Sequence, residues 1–354
     1  MTDTAEGPNS EGGPGTGILY DNRLFRHVID AQTPENPERL RALHQRLEQK
    51  PYRDRFRRIA AMPAEPELIE RVHTPFYLEQ VRDHAGRSDP FSYDRDTYLM
   101  SETLGCAGLA AGGCVQLAEA IVSGSVQRGL ALVRPPGHHA EAGRGMGFCV
   151  VNNAAVTATW LKENYGFSRI LIFDFDVHHG NGTQEIFYDR SDVLVVSFHQ
   201  NDLFPFSGRA DEVGDDGGRG YTLNVPVFPQ YGDGEYTYLA GTILRAVVEQ
   251  YLPQIILVSA GFDGHKDDPI SKTELSSAWF GTITSLLRQL ADEVCDGRLF
   301  MLLEGGYNPV ALEDAVLAVL ESLSAETPRR VGILHSQRAA QLIAHHPARN
   351  FWTF

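Results

Sequence analysis

The sequence predicts an α/β protein built on a single parallel sheet with helices packed on both faces. Three observations carry that expectation. Short, uniformly apolar runs at Leu130–Val133, Ile170–Phe173, Val193–Val196, Ile255–Val258 and Leu299–Leu303 read as strands buried on both faces, since a half-exposed strand would alternate. Between them lie longer stretches with apolar residues at helical spacing: Val151–Tyr165, Tyr236–Leu252, Leu275–Val294 and Val310–Leu323. In Tyr236–Leu252, for example, the apolar positions are Leu239, Ile243, Leu244, Val247, Val248 and Tyr251. Strand–helix alternation makes neighbouring strands parallel, because each helix returns the chain across the sheet. Finally, no internal repeat and no linker-like composition interrupts residues 18–345, so the expected organisation is a leader over 1–16 and one domain over 17–354.

The amino-terminal elements follow in order. Residues 1–16, MTDTAEGPNSEGGPGT, are small, polar and rich in Gly and Pro, and read as a disordered leader. Ile18–Tyr20 begins the first strand. Arg23–Pro37 is irregular and ends in TPENPERL, where Pro37 and Glu38 start a helix that continues through Leu40, Leu43 and Leu47. A helical piece at Glu67–Val72 leads into HTPFYLEQV, and Ser88–Tyr98 is turn-like and acidic. Leu104–Ile121 reads as a helix of small residues in which Gly112 and Gly113 imply close helix packing.

Composition narrows the function classes. A net charge of -15 argues against a nucleic-acid surface and is compatible with basic substrates. No apolar run approaches the length needed to span a bilayer, and no charged-then-apolar secretory segment opens the chain. Cys106, Cys114, Cys149 and Cys295 lack CxxC spacing and are read as buried thiols in a reducing compartment. The expected location is cytoplasmic.

The chemistry gathers at strand ends. After Leu130–Val133 comes RPPGHHA with His138 and His139; after Ile170–Phe173, DFDVHH; after Val193–Val196, SFH with Ser197 and His199. Ile255–Val258 is followed by SAGFD with Asp263, and Leu299–Leu303 by EGGY with Tyr307. Ligands of open parallel α/β sheets bind outside the carboxyl ends of the strands, so this joint placement points to one site. Within Asp174-x-Asp176-x-His178 the period of two puts three potential ligands on one side of an extended chain. Two carboxylates and an imidazole suit Zn²⁺ or Fe²⁺ better than Ca²⁺, which prefers all-oxygen shells.

RPPGHHA, GFCVVNNAA, DFDVHHGNGTQEIFY, SAGFD and EGGY together resemble the motifs of the histone deacetylase superfamily, over Ile18–Leu323. The PPGHH form, with no Trp between the glycine and the histidines, is similar to the class II branch and its bacterial relatives, the histone deacetylase-like amidohydrolases and acetylpolyamine amidohydrolases. The resemblance implies the arginase/deacetylase fold. It also implies a zinc-dependent amide hydrolase (Fe²⁺ being the other candidate metal) acting on acetyl-lysine or a similar acylated amine.

The same resemblance implies roles. Asp176, His178 and Asp263 would be the metal ligands, leaving positions for water and a substrate carbonyl. His139 would be the general base, His138 its electrostatic companion and Tyr307 the donor to the oxyanion. Asp174 would pair with His138 and also join Asp176, the His178 carbonyl, Ser197 and Phe198 in a structural K⁺ site. A second K⁺ site would fall on Phe187, Arg190, Val193 and Tyr221. Asn181 stands where many relatives carry an Asp partner for His139. Its carbonyl still accepts the Nδ1 proton, but without a charge it implies a less basic His139.

For the substrate channel the resemblance implies Gly147 and Phe148 as one wall, Phe204 or else Phe206 in LFPFSG as the other, and Asp96 in RDTYL as a rim carboxylate. Ile270 in DDPI occupies the place of a gatekeeper Glu in a polyamine-selective relative, which tilts away from that selectivity. DDPISKTEL lacks the usual small residue after the apolar position and TPENPERL the usual preceding His, both expected near the channel mouth. The implied partner is an acylated lysine side chain or small acylated amine, with no nucleic acid and no membrane; a homo-oligomer stays open. Two other classes remain alternatives. A binuclear-metal ureohydrolase needs further carboxylates where the chain has Gly180 and Asn181, and a non-catalytic acyl-lysine binder has no use for the retained histidines and Tyr307. His335, His345 and His346 are read as solvated tail residues without a role.

Overall fold

Where apolar runs dominate the sequence, strands form and are covered on both sides. The computed structural model describes residues 15–28, 33–85, 87 and 91–354. In chain order its strands are β1 (Thr16–Tyr20), β2 (Arg57–Ile59), β3 (Phe91–Ser92), β4 (Tyr98–Leu99), β5 (Arg128–Leu132), β6 (Ile170–Asp174), β7 (Val193–Gln200), β8 (Thr222–Val227), β9 (Ile255–Ala260) and β10 (Leu299–Leu303). β3 and β4 form a small antiparallel ribbon. The other strands make an 8-stranded sheet in the order β2-β1-β5-β10-β9-β6-β7-β8, with every pairing parallel.

Alternate residues of each strand feed two separate cores. Leu130, Leu132, Leu171 and Phe173 point to one face, together with residues of the helices Glu38–Leu47, Ser277–Val294 and Pro309–Ser324. Ala131, Ile170 and Ile172 point to the other, covered by Thr103–Val122 and Asn153–Tyr165. Burying one such Leu or Ile side chain is worth about 1.5–3 kcal/mol, so a sheet covered on both sides is held twice over. Helix Thr103–Val122 seats closely on its neighbours because Gly112 has no side chain: a Cβ there would come within 2.0 Å of the Met62 carbonyl oxygen.

The strand order places the chemistry. β5, β10, β9 and β6 are consecutive neighbours in the sheet, so the loops carrying RPPGHHA, EGGY, SAGFD and DFDVHH leave the sheet side by side. Segments far apart in sequence thereby meet at one edge.

Several expectations need correction. Of the 1–16 leader, residues 1–14 lie outside the described residues, but Thr16 already belongs to β1. Ser88, at the start of the turn-like stretch, also lies outside them, and the same stretch reaches into β3 and β4. β7 runs on to Gln200, paired with β8 as far as Gln200–Val227, so Ser197 and His199 lie inside a strand rather than beyond its end. The 236–252 helix is three pieces, Asp233–Leu239, a π turn at Ala240–Leu244 and Arg245–Tyr251. Helix Thr103–Val122 is, by length and composition, long and apolar enough to cross a membrane, contrary to the expectation that no run is. Its most apolar window is 72% buried inside the fold, as a core helix requires. His346 is likewise no solvated tail residue: it is buried, with Nε2 2.7 Å from the Asn224 carbonyl.

Candidate active site and metal centre

β6 ends at Asp174, and the chain turns at once through Phe175–His179. The turn is held by its own carboxylates. Asp174 Oδ1 accepts the Asp176 N–H at 3.0 Å, and Asp176 Oδ1 accepts the His178 N–H at 2.9 Å. The expectation that Asp174, Asp176 and His178 share one side of an extended chain therefore fails. Asp174 faces His138, with Oδ2 2.9 Å from Nδ1, while Asp176 and His178 face Asp263 from the loop after β9.

Asp176, His178 and Asp263 form a buried group whose potential ligand atoms all lie within 4.8 Å of one another. His178 Nδ1 is 3.0 Å from Asp176 Oδ1 and 3.1 Å from Asp263 Oδ2. The carboxylates press against bare backbone: a Cβ at Gly261 would lie 2.1 Å from Asp176 Oδ2, and one at Gly305 2.1 Å from Asp263 Oδ2. Burial alone would lower the His178 pKa, yet the bonds to Asp176 and Asp263 push it up to about 10. Burial and the Asp176 charge together raise that of Asp263. These two carboxylates concentrate negative charge where water does not reach, and a divalent cation would replace the His178 proton and satisfy both. The donor set fits such a cation, with nitrogen and oxygen ligands of the kind Zn²⁺ accepts.

The two adjacent histidines sit in opposite fields. Burial disfavours charge on both. For His138 the carboxylates of Asp176 and Asp174 outweigh it and hold the imidazole well above its ordinary range. His139 has burial and the positive charges of His138 and His178 against it and is held well below. It is therefore neutral near pH 7. Its Nδ1 donates to Asn181 Oδ1 at 2.8 Å, which leaves the Nε2 lone pair free. The site thus holds one protonated and one proton-accepting imidazole with ring centroids 4.0 Å apart.

Tyr307 enters from the loop after β10. Its N–H donates to Asp268 Oδ2 at 2.7 Å, and its ring stands 5.7 Å from that of Phe148 and 4.7 Å from the Arg39 guanidinium. Burial raises its phenol well above the usual value, so it stays a donor. Phe204 packs edge-on to His139 at 5.1 Å and to His178 at 6.3 Å. Gly147 lies against the His139 ring, where a Cβ would meet Cδ2 at 2.5 Å. Gly147, Phe148 and Phe204 thus surround the histidines and Tyr307.

The other expected channel residues lie outside this packed cluster. Phe206 is 79% exposed, with φ 65; of the two candidate walls Phe204 is the one packed on the histidine rings. Asp96 is exposed, as a rim carboxylate would be, and two residues before it Asp94 reaches the site loop, its Oδ2 accepting the Gly147 N–H at 3.2 Å. Glu35 and Arg39 are buried beneath Tyr307, with Arg39 donating to the Glu304 carbonyl at 2.7 Å and the Gly306 carbonyl at 2.6 Å. Ile270 is partly exposed, and its N–H donates to Asp268 Oδ1 at 3.1 Å.

Of the residues read as cation sites, Asp174 and Ser197 are register partners in β6 and β7, and Ser197 Oγ is 2.9 Å from His199 Nδ1. Phe198 is the next residue of β7, and Val193 opens that strand. The Phe187 carbonyl accepts the Arg190 N–H at 3.1 Å, and the Tyr221 carbonyl the Val195 N–H at 2.9 Å.

Three supporting acids were missed in sequence: Asp94, Asp268 and Glu304. Glu304 Oε2 accepts the N–H groups of Gly137 at 2.7 Å and His138 at 3.2 Å, while Oε1 accepts Ser259 Oγ–H at 3.0 Å. Burial pushes its carboxyl up to about 7, against the pull of His138. His138, Cys149 and Glu304 form the second close-set donor group among the described residues, but both Glu304 oxygens are already engaged. Each of these acids serves backbone or hydroxyl donors, and the one sequence signal was the position of Glu304 in EGGY.

Residues 33–323 match the family model described as histone deacetylase domain. The chain is 37% identical over 331 residues to histone deacetylase 15 of Arabidopsis thaliana, covering 91% of this chain and 59% of that one. It is 37% identical over 298 residues to a histone deacetylase-like amidohydrolase of Pseudomonas aeruginosa, covering 83% and 77%. The solved crystal structure of the HDA15 HD domain superposes with a TM-score of 0.89 at 34% identity, over 96% of this chain and 95% of that one.

Proposed function

The chain belongs to the histone deacetylase family and so carries a deacetylase-type amide hydrolase domain, and from that premise we propose that it hydrolyses the acyl amide of acetyl-lysine or a similar acylated amine. The observation that carries this reading is the meeting of Asp176, His178 and Asp263 with a neutral His139, a charged His138 and Tyr307 between two aromatic walls. We take the metal to be Zn²⁺, with Fe²⁺ as the other candidate, held by Asp176, His178 and Asp263. When bound it supplies Lewis acidity toward the amide carbonyl and makes a water acidic.

The chain's own residues do the rest. His139 Nε2 accepts the proton of the attacking water and returns it to the leaving amine. Asn181 keeps the His139 proton on Nδ1, so that Nε2 stays available. His138, charged beside Asp174, stabilises negative charge developing on the carbonyl oxygen, and the Tyr307 hydroxyl donates to the same oxygen. Phe148 and Phe204 would flank a linear aliphatic stem and exclude water around it. Structural K⁺ at Asp174, Asp176, His178, Ser197 and Phe198, and a second ion at Phe187, Arg190, Val193 and Tyr221, belong to the same reading.

The test is a turnover screen of zinc-loaded protein against acetyl-lysine peptides, longer acyl-lysines and acetylated polyamines, with His139→Ala as control. Turnover of an acyl-lysine set that the control abolishes supports the reading, and turnover of polyamines alone would redirect it. No turnover of any set would overturn it.

A further inference from the structure

Asn181 has a weakness as a partner for a general base: its amide has two ends. With Oδ1 toward His139 the imidazole proton is held on Nδ1 and Nε2 is left as acceptor. Turned by half a rotation, the amide would present NH₂ to Nδ1, which must then accept, and the proton would move to Nε2. That tautomer has no lone pair for the reaction. A carboxylate at this position has no such ambiguity.

The structure holds the other end of the amide. Asn181 Nδ2 donates to Glu141 Oε1 at 2.8 Å and lies 3.2 Å from Met146 Sδ, a weak acceptor. Glu141 is itself fixed from three sides. Its N–H donates to the Arg144 carbonyl at 3.0 Å, the Arg144 guanidinium lies 3.4 Å from its Oε2, and its carbonyl accepts His73 Nδ1–H at 3.0 Å. His73 in turn accepts the Asn152 N–H on Nε2 at 3.0 Å. The carboxylate is part-exposed and touches neither the histidine pair nor the ligand triad in any hydrogen bond.

We propose that Glu141 is a positioning residue for His139: an acceptor-only carboxylate that fixes which end of the Asn181 amide faces the imidazole, and so fixes its tautomer. The proposal rests on the reading of His139 as general base. It makes the base a three-member chain, His139–Asn181–Glu141, in which the negative charge sits one residue further out than in a direct His–carboxylate pair. It also predicts that the need for Glu141 disappears once residue 181 is an acceptor at both ends.

The experiment is a double-mutant cycle on the zinc-loaded full chain, measuring kcat and KM on an acetyl-lysine peptide for the wild type, Glu141→Ala, Asn181→Asp and the double variant. Glu141→Ala is expected to lower kcat about tenfold or more while KM stays within about twofold, because a lost orienting partner costs of that order. In the Asn181→Asp background the same substitution is expected to cost nothing or to raise kcat, since it removes a like charge. An equal loss in both backgrounds, or no loss in the first, would overturn the proposal. Glu141→Met, which fills the space without an oxygen, is read by the same rule if alanine loosens the loop.

A second readout does not depend on turnover: ¹⁵N spectra of histidine-labelled protein, with His139→Ala for assignment. These should give a neutral Nδ1–H tautomer for the wild type and a mixture for Glu141→Ala. An unchanged tautomer would refute the role of Glu141. Absence of turnover in the wild type, with the tautomer shift present, would instead count against the proposed function.

Discussion

Two clusters of buried charge lie on either side of Tyr307 and differ in one respect, their balance. Below it, Glu35 is met by Arg134 through Nε at 2.9 Å and Nη2 at 2.7 Å, and by Arg39 through Nη1 at 3.1 Å. The remaining guanidinium donors reach the carbonyls of Leu24, His27, Glu304 and Gly306. Burial would raise the Glu35 carboxyl, but Arg134 and Arg39 bring it down to about 2. On the other side, Asp263 is pushed up and His178 must carry a proton to hold its two carboxylates together. Both clusters are buried and hydrogen-bonded, but the first sets one carboxylate against two guanidiniums whose spare donors end on carbonyls, whereas the second has more negative groups than its neighbourhood neutralises. A buried carboxylate with its own counter-charge is architecture, and a surplus of buried carboxylate points to a cation the protein binds.

The sharpest way to break this contrast is to neutralise each side in turn. Asp263→Asn should abolish turnover, by at least about 10³-fold, since removing one ligand removes the metal's polarising role. Melting of the metal-free variant should nonetheless occur at or above the wild-type temperature, and added zinc should no longer raise it. A metal-free variant melting well below wild type would show the surplus to be imaginary. Glu35→Ala is expected to do the opposite, costing about 3–5 kcal/mol of unfolding free energy by stranding two buried guanidiniums. Its pH dependence follows from the lowered pKa. The contribution of Glu35 is complete above its ordinary 4.5 and is lost as pH falls toward about 2, so in denaturant titrations the wild type and Glu35→Gln should converge across that interval.

Smaller effects sharpen the comparison within the site. Tyr307→Phe should lower kcat about 10²-fold, the order expected for one oxyanion donor, with the melting temperature barely changed. A loss of stability instead would make Tyr307 part of the Arg39 layer rather than of the chemistry. Asn181→Asp should move the acidic limb of the pH–rate profile upward by about one unit, because a carboxylate favours the imidazolium. A limb that stays in place or moves to lower pH would show that the partner does not govern His139 basicity.

How much of this was legible before folding depends on what each residue answers to. The inner strands were plain because residues such as Ile170–Phe173 and Ile255–Val258 are apolar on both faces. The edge strands β2 and β8 were not, since Arg57-Arg58-Ile59 carries charge and Thr222–Val227 contains Asn224 and Pro226, as edges tolerate. The reactive residues announced themselves by type and by their place after a strand. Asp94, Asp268 and Glu304 did not, because backbone N–H groups are their partners and these have no sequence signature. Phe204 and Phe206 were indistinguishable in LFPFSG, where the left-handed φ of Phe206 breaks any periodic argument.

The order of strands across the sheet has a temporal consequence. A ribosome delivers this chain from its amino end, so Asp176 and His178 emerge long before Asp263, which is their partner across 85 residues in the His178 contact. β9 and β10 are the final strands made, yet they occupy the middle of the sheet between β5 and β6. The nascent protein therefore carries Asp176 and His178 for 85 residues of translation without their third partner, and completes the ligand set only when the centre of its sheet is filled.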